Sequence, residues 1–338
     1  MMKQNEKIGY IFTINKKKLL NDLGELNKLI LCKGIDSYRL NMSDLIEAEL
    51  LFPKIKDLRE YGSAKLMLDL PYPKAKCRVY CNEIGKKIKL NDIYKIYYNC
   101  YGMKDVLYFD RLSLAELYFT INETLVIGDG EGYFKVVLVH DEYVEVRALN
   151  EFILISGKSI KGRNTLYNNS EIFSEEILEK YIKYISPDSI ALSFVSSVEE
   201  IEFFRKQLNY KGKIYSKIEL DIDKDSLNQI IMASDGVMLG RGDYCLYNSL
   251  SSLYDFEKYL SDICSQYEKE YVVATDVLRT LKNQYYPSRA DIIDFMYIKS
   301  LEVQKIVFNA GQSIEQTISV ADELQNNICN RRQEDDCI

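Results

Sequence analysis

An α/β fold built on eight parallel strands with crossover helices is the architecture this sequence predicts, and three observations predict it. Short β-prone apolar runs alternate with amphipathic segments of helix length toward both ends of the chain, as a parallel sheet with crossover helices requires. The alternation occurs eight times, the number that closes a (β/α)8 TIM barrel. With 338 residues, the chain is long enough for a barrel of roughly 250 residues and an insert.

In order, the predicted strands run over Ile8–Ile14, Ser37–Leu40, Lys65–Leu70, Ile190–Val195, Lys213–Ile218, Gly236–Leu239, Tyr271–Thr275 and Lys305–Asn309. The intervening helices include Leu19–Leu31, Val198–Leu208 and Leu253–Tyr267. The third and fourth strands stand too far apart for one helix to join them. Between Cys77 and Gly157 the pattern becomes alternating β, as in Tyr133–Val139 and Tyr143–Leu149, with a turn-rich Gly128-Asp129-Gly130-Glu131-Gly132. This predicts a β-barrel-like domain inserted after the third strand and suited to act as a lid over the barrel mouth. The expected organisation is barrel over 1–76, lid domain over 77–157, barrel again over 158–329 and a polar tail over 330–338.

Composition excludes several functions. Forty-four Lys and Arg against 51 Asp and Glu give a net charge of −7, with no basic block, so no nucleic-acid partner is expected. No apolar run approaches the ~20 residues that cross a bilayer, so no membrane partner is expected either. The N-terminal apolar run ends at Lys16-Lys17-Lys18 and lacks the form of a signal peptide, so the expected compartment is cytoplasmic. The 8 cysteines are scattered and are read as reduced thiols. His140 is the single histidine, which removes multi-histidine zinc sites and leaves at most one imidazole for a catalytic triad. Chemistry must then rest on Lys, Arg, carboxylates, hydroxyls and thiols.

The richest segment is Ser216-Lys217-Ile218-Glu219 together with Ala233-Ser234-Asp235-Gly236-Val237-Met238-Leu239-Gly240-Arg241-Gly242-Asp243. Lys217 and Glu219 alternate at the end of the fifth strand, so both can face the barrel mouth, and Asp243 follows the end of the sixth. From spacing alone these residues suit either a salt bridge at the rim or an octahedral Mg²⁺ or Mn²⁺ site completed by water and substrate oxygens.

These segments resemble the pyruvate kinase family, in which a strand ending Lys-Ile-Glu precedes "ASDGIMVARGD". Further likenesses follow in chain order. Gly34–Ser43 is similar to "AGMNVVRLNFS", and Leu68-Asp69 with Pro73 resembles "LDTKGPEIR". Asp129-Gly130 lies where the family's lid carries "DDG", and Lys161-Gly162-Arg163-Asn164 where it carries "KGVN". Ile190–Val195 resembles "IAASFV", Tyr271–Thr275 the start of "ICATQML", and Pro287-Ser288-Arg289-Ala290 the stretch "PTRAE".

The resemblance implies roles for matching residues. Glu219 and Asp243 would ligate Mg²⁺ or Mn²⁺, and Lys217 and Arg39 would hold the transferring phosphoryl group. Thr275 and the backbone of Gly242 and Asp243 would bind the carboxylate of phosphoenolpyruvate or pyruvate. Thr13, Lys76 and Lys161 would meet the nucleotide, ADP or ATP, and Asp129 would act from the lid. Asn41, Ser43 and Asp69 match the family's K⁺ ligands, but the following Thr is Leu70 and the nearby Glu is Lys74. That pair of changes implies that Lys74 replaces K⁺, which is then not required.

Other positions depart from the family. "TIGPAS" has become Thr13-Ile14-Asn15-Lys16-Lys17-Lys18, "SHG" Ser43-Asp44-Leu45, and "LSGETA" Phe308-Asn309-Ala310-Gly311-Gln312-Ser313. The altered nucleotide loop leaves two further functions to weigh beside the kinase: a Mg²⁺-dependent enzyme using a pyruvate enolate without ADP in a specialised biosynthetic pathway, and a non-catalytic phosphoenolpyruvate-binding module. The family's C-terminal allosteric domain has no counterpart in this sequence, so any homo-oligomer is expected to form through barrel surfaces.

Overall fold

The computed structural model describes residues 7–42, 48–73, 77–83, 85–98, 106–109, 119–128, 130–162, 175–248 and 250–334. They form two compact units, one of residues Met1–Leu70 with Glu175–Ile338, the other Pro71–Ser174.

The larger unit is a closed barrel of eight parallel strands in sequence order: Gly9–Thr13, Ser37–Asn41, Lys65–Pro73, Ser189–Ser193, Lys213–Ile218, Gly236–Gly240, Glu270–Ala274 and Lys305–Phe308. The eighth closes on the first, with Gly9 opposite Lys305 and Phe12 opposite Phe308. Strands such as Ser189–Ser193 and Gly236–Gly240 are buried at every position, because a barrel strand meets packed side chains inside and helices outside. Inside, Ile11, Met67, Ala191, Tyr215, Met238, Val272, Ala274 and Val307 form one apolar cluster. Outside, the helix Glu175–Ile185 buries Leu178, Tyr181 and Ile185, a spacing of three and four that lines one helical face.

Helix boundaries depart from the pattern-based expectation in two places. The stretch 19–31 divides at Asp22, whose side chain accepts the Gly24 N–H and starts a new helix, Leu23–Leu31, after Lys16–Asn21. The stretch 198–208 is α-helical only over Val198–Glu202 and continues as a π-helical turn over Phe203–Gln207. The last helix, Ile314–Glu334, runs into the stretch read as a polar tail.

At the N-terminal ends of the strands, Glu270 ties three strands together. Its carboxylate accepts from Lys213 Nζ, Tyr215 Oη and, at 2.7 Å, Lys305 Nζ. Burial raises its pKa, but the bonds from Lys213, Lys305 and Tyr215 outweigh this and lower it to about 2. A carboxyl depressed in the folded state stabilises above its unfolded pKa and loses that contribution as pH falls toward the folded value. Glu270→Gln should therefore destabilise the protein by roughly 2 kcal/mol more at pH 7 than near pH 2, the full linkage figure being reduced by solvent screening of a partly exposed pair. Urea unfolding of both proteins should show this gap narrowing between pH 5 and pH 2.5; a gap independent of pH would contradict the assignment.

The smaller unit holds a closed seven-stranded barrel, in the order Tyr143–Ala148, Ile93–Tyr97, Leu107–Phe109, Arg78–Cys81, Lys158–Gly162, Thr124–Ile127 and Gly132–Val139. Alternation fills it: Phe134 and Val136 are buried from one strand, Val144, Val146 and Ala148 from its neighbour. Gly132 is required there, since a Cβ would lie 2.5 Å from the Phe152 ring. The strand Lys158–Gly162 pairs with Arg78–Cys81 and Thr124–Ile127, so this unit reaches beyond the 77–157 span expected for the insert. The reason is that closure needs this strand to bond both neighbours.

Candidate active site

A strand alternates its side chains, so the residues two positions beyond the apolar interior cluster also face inward. Two beyond Ile11, Met67, Ala191, Tyr215 and Met238 stand Thr13, Asp69, Ser193, Lys217 and Gly240. A polar layer thus lies next to the apolar one, at the C-terminal ends of the strands where barrels of this kind keep their reactive groups.

Asp69 and Lys217 form its centre. Lys217 Nζ lies 3.3 Å from Asp69 Oδ1, 3.2 Å from Glu219 Oε1 and 3.0 Å from Ser193 Oγ, to which it donates. Arg39 approaches the other Asp69 oxygen, donating from Nε at 2.7 Å and placing Nη2 at 2.5 Å, while its Nη1 donates to Thr13 Oγ1 at 2.8 Å. Asp69 is 2% exposed, Lys217 8% and Glu219 1%. Burial pushes the Asp69 carboxyl up, yet Arg39 and then Lys217 hold it below the usual range. Burial likewise opposes the Lys217 ammonium, but Asp69, then Glu219 and more weakly Asp243, hold its pKa above lysine's ordinary value. Both groups are therefore ionised at neutral pH.

Glu219 is fixed from its far side by the Phe194 N–H, which donates to Oε2 at 3.0 Å. Gly240 faces it; a Cβ there would come within 2.8 Å of Glu219 Oε1, so the sixth strand ends in glycine to leave room for this carboxylate. The next residues turn into the helix Arg241–Tyr247, with Gly242 and Asp243 in its first turn. Thr275 follows the seventh strand with φ +79°.

The structure thus brings together Arg39, Asp69, Lys217 and Glu219, with Asp243 near enough to act on the Lys217 ammonium. Thr13 bonds Arg39. Asn41 ends the second strand opposite Asp69. Lys161 is buried in the smaller barrel, where His140 also lies, stacked on Tyr143. Ser43, Lys74, Lys76 and Asp129 lie outside the described residues. Ser193, which bridges Lys217 and Asp69 at 3.0 and 3.4 Å, went unread as a site residue. Its signal is its place at a strand end on the face of Ala191.

Among the described residues no cluster of three or more His, Cys, Asp or Glu side chains could hold a metal alone. Two hard carboxylates, Glu219 and Asp243, with the remaining positions left to water and substrate oxygens, fit the needs of Mg²⁺ or Mn²⁺ rather than a structural zinc.

The family description "Pyruvate kinase, barrel domain" matches residues 15–298. A pyruvate kinase of Thermotoga maritima is 25% identical over 291 residues, covering 81% of this chain and 60% of that protein. One of Mycoplasma genitalium is 29% identical over 185 residues, covering 52% of this chain and 36% of that protein. A crystal structure of Cryptosporidium parvum pyruvate kinase superposes with a TM-score of 0.80 at 22% identity, over 95% of this chain and 70% of that one. The chain spans at most about 60% of the length of these curated relatives. The match over residues 15–298 makes this chain a member of the pyruvate kinase family through its barrel domain.

Proposed function

We propose that this chain transfers a phosphoryl group between phosphoenolpyruvate and a nucleoside diphosphate, with a divalent cation and without K⁺. The observation that carries the reading is the buried Lys217 ammonium, 3.2 Å from Glu219 and 3.3 Å from Asp69 at the C-terminal ends of the strands. In the forward direction the phosphorus–oxygen bond of phosphoenolpyruvate breaks, the phosphoryl group joins the terminal oxygen of the diphosphate, and the enolate left behind takes a proton at carbon to give pyruvate.

Glu219 and Asp243 would hold Mg²⁺ or Mn²⁺, which supplies positive charge to the phosphoryl and enolate oxygens when bound. Lys217 and Arg39 neutralise charge on the phosphoryl group in transit. Their counter-ion Asp69 keeps both pre-oriented, so little reorganisation accompanies transfer. Thr275, with the Gly242 and Asp243 amides, fixes the substrate carboxylate.

K⁺ independence rests on Asp69. Its Oδ2 receives Arg39 and its Oδ1 faces Lys217 and Ser193, so side chains of this protein already satisfy the carboxylate that family members share with K⁺. Leu70, fully buried, offers no side-chain oxygen. Lys74 is the residue we assign to the cation's role.

A coupled assay of pyruvate release from phosphoenolpyruvate tests the proposal. Release should require both Mg²⁺ and ADP and keep its rate when Na⁺ or tetramethylammonium replaces K⁺; a K⁺-stimulated rate would contradict the Lys74 assignment. The loss of Gly and Pro from the Thr13–Lys18 loop, now a helix start capped by Asn15, favours a second reading, Mg²⁺-dependent enolate chemistry without ADP, which pyruvate release in the absence of ADP would support. Phosphoenolpyruvate binding without release would overturn both readings in favour of a non-catalytic binding module.

A further inference from the structure

The loop after the seventh barrel strand is strained. Thr275, Asp276 and Leu278 adopt φ of +79°, +60° and +50°, the left-handed region that non-glycine residues, and a β-branched threonine above all, rarely enter. Such a backbone persists only where its surroundings over-determine it.

Side chains that follow two neighbouring strands do so. From the end of the sixth strand, Arg241 donates to the Thr275 carbonyl from Nη2 at 2.8 Å and Nε at 3.3 Å. From the end of the eighth, Gln312 donates from Nε2 to the carbonyls of Val277 at 3.2 Å and Leu278 at 2.7 Å. Three carbonyls of four successive residues are therefore held by side chains from outside the loop. Both holders are themselves fixed. Arg241 makes a two-pronged pair with Asp294 at 2.6 and 2.8 Å, with Glu257 3.9 Å away, and its side chain is 11% exposed. Gln312 is buried, and its Oε1 accepts the Asn309 N–H at 2.8 Å.

We infer that Arg241 is a positioning residue for carboxylate recognition: through the Thr275 carbonyl it sets the Thr275 hydroxyl in register with Asp243, two residues further along its own chain, and Gln312 secures the other side of the same loop. The ligand class is the carboxylate of a small enol or 2-oxo acid, and the inference rests on the function proposed above. A guanidinium suits the task because its planar fork serves Asp294 and Thr275 together. A lysine ammonium keeps the charge but not the fork.

Isothermal titration with oxalate in the presence of Mg²⁺, on the wild type, Arg241→Lys and Gln312→Met, tests this. Both variants should bind oxalate at least about tenfold more weakly. Amide deuterium uptake over residues 276–279 should rise, and the KM for phosphoenolpyruvate should rise more than kcat falls. Oxalate affinity within twofold of wild type in the folded variants would overturn the inference alone. A wild type that binds neither oxalate nor phosphoenolpyruvate would overturn the proposed function and this inference with it. If Arg241→Lys does not fold, Gln312→Met decides by itself, since it removes two donated bonds without unpairing a charge.

Discussion

Lys217→Met should lower the rate of pyruvate release by about 10³-fold or more, the scale set by removing one pre-organised donor or cation from a phosphoryl-transfer site. Lys217 is the ammonium at which Asp69, Glu219 and Ser193 converge, and methionine retains its apolar stem while deleting the charge. The loss should fall on kcat, because the charge matters most when the phosphoryl group is between donor and acceptor. Circular dichroism and melting should show a folded protein. A folded variant within tenfold of wild-type kcat would contradict the role assigned to Lys217.

Asp69→Asn should be the most damaging single change to stability. It leaves Arg39 and Lys217 beside one another without their shared counter-ion in a site where Asp69 is 2% exposed. Breaking a buried ion pair by removing one partner costs about 3–5 kcal/mol. Urea unfolding would read this as a lower midpoint with an unchanged slope. The loss in the double variant Asp69→Asn/Lys217→Met should be smaller than the sum of the single losses, because the two groups share one network. A destabilisation under 1 kcal/mol for Asp69→Asn would mean that the ion pairs are not formed as described.

Much of the barrel was legible because its strands are short buried runs separated by amphipathic helices, and alternation along a single strand is a local property. Lys217 and Glu219 could be placed on one face from their spacing alone. Relations between strands are a different matter. That Arg39 and Lys217 meet on Asp69 depends on the register around the closed barrel, Asn41 opposite Asp69 and Leu192 opposite Ser216, and no local pattern states it. Ser193 went unread for the same reason, since its partners lie on the third and fifth strands. The division at Asp22 was readable in principle: Asp22 followed by Glu25 is a helix-start pattern, masked by the continuous apolar spacing on either side. The left-handed loop at Thr275 could not be read, because threonine disfavours that conformation and donors from other strand ends, Arg241 and Gln312 among them, sustain it.

One divalent cation is expected between residues 219 and 243, beside the ammonium at 217. Anomalous diffraction from crystals soaked in Mn²⁺ and oxalate tests it most directly. A single strong peak is expected within about 2.3 Å of a carboxylate oxygen from Glu219 and another from Asp243. Manganese bound elsewhere, or a map empty between those two side chains while oxalate is present, would contradict it.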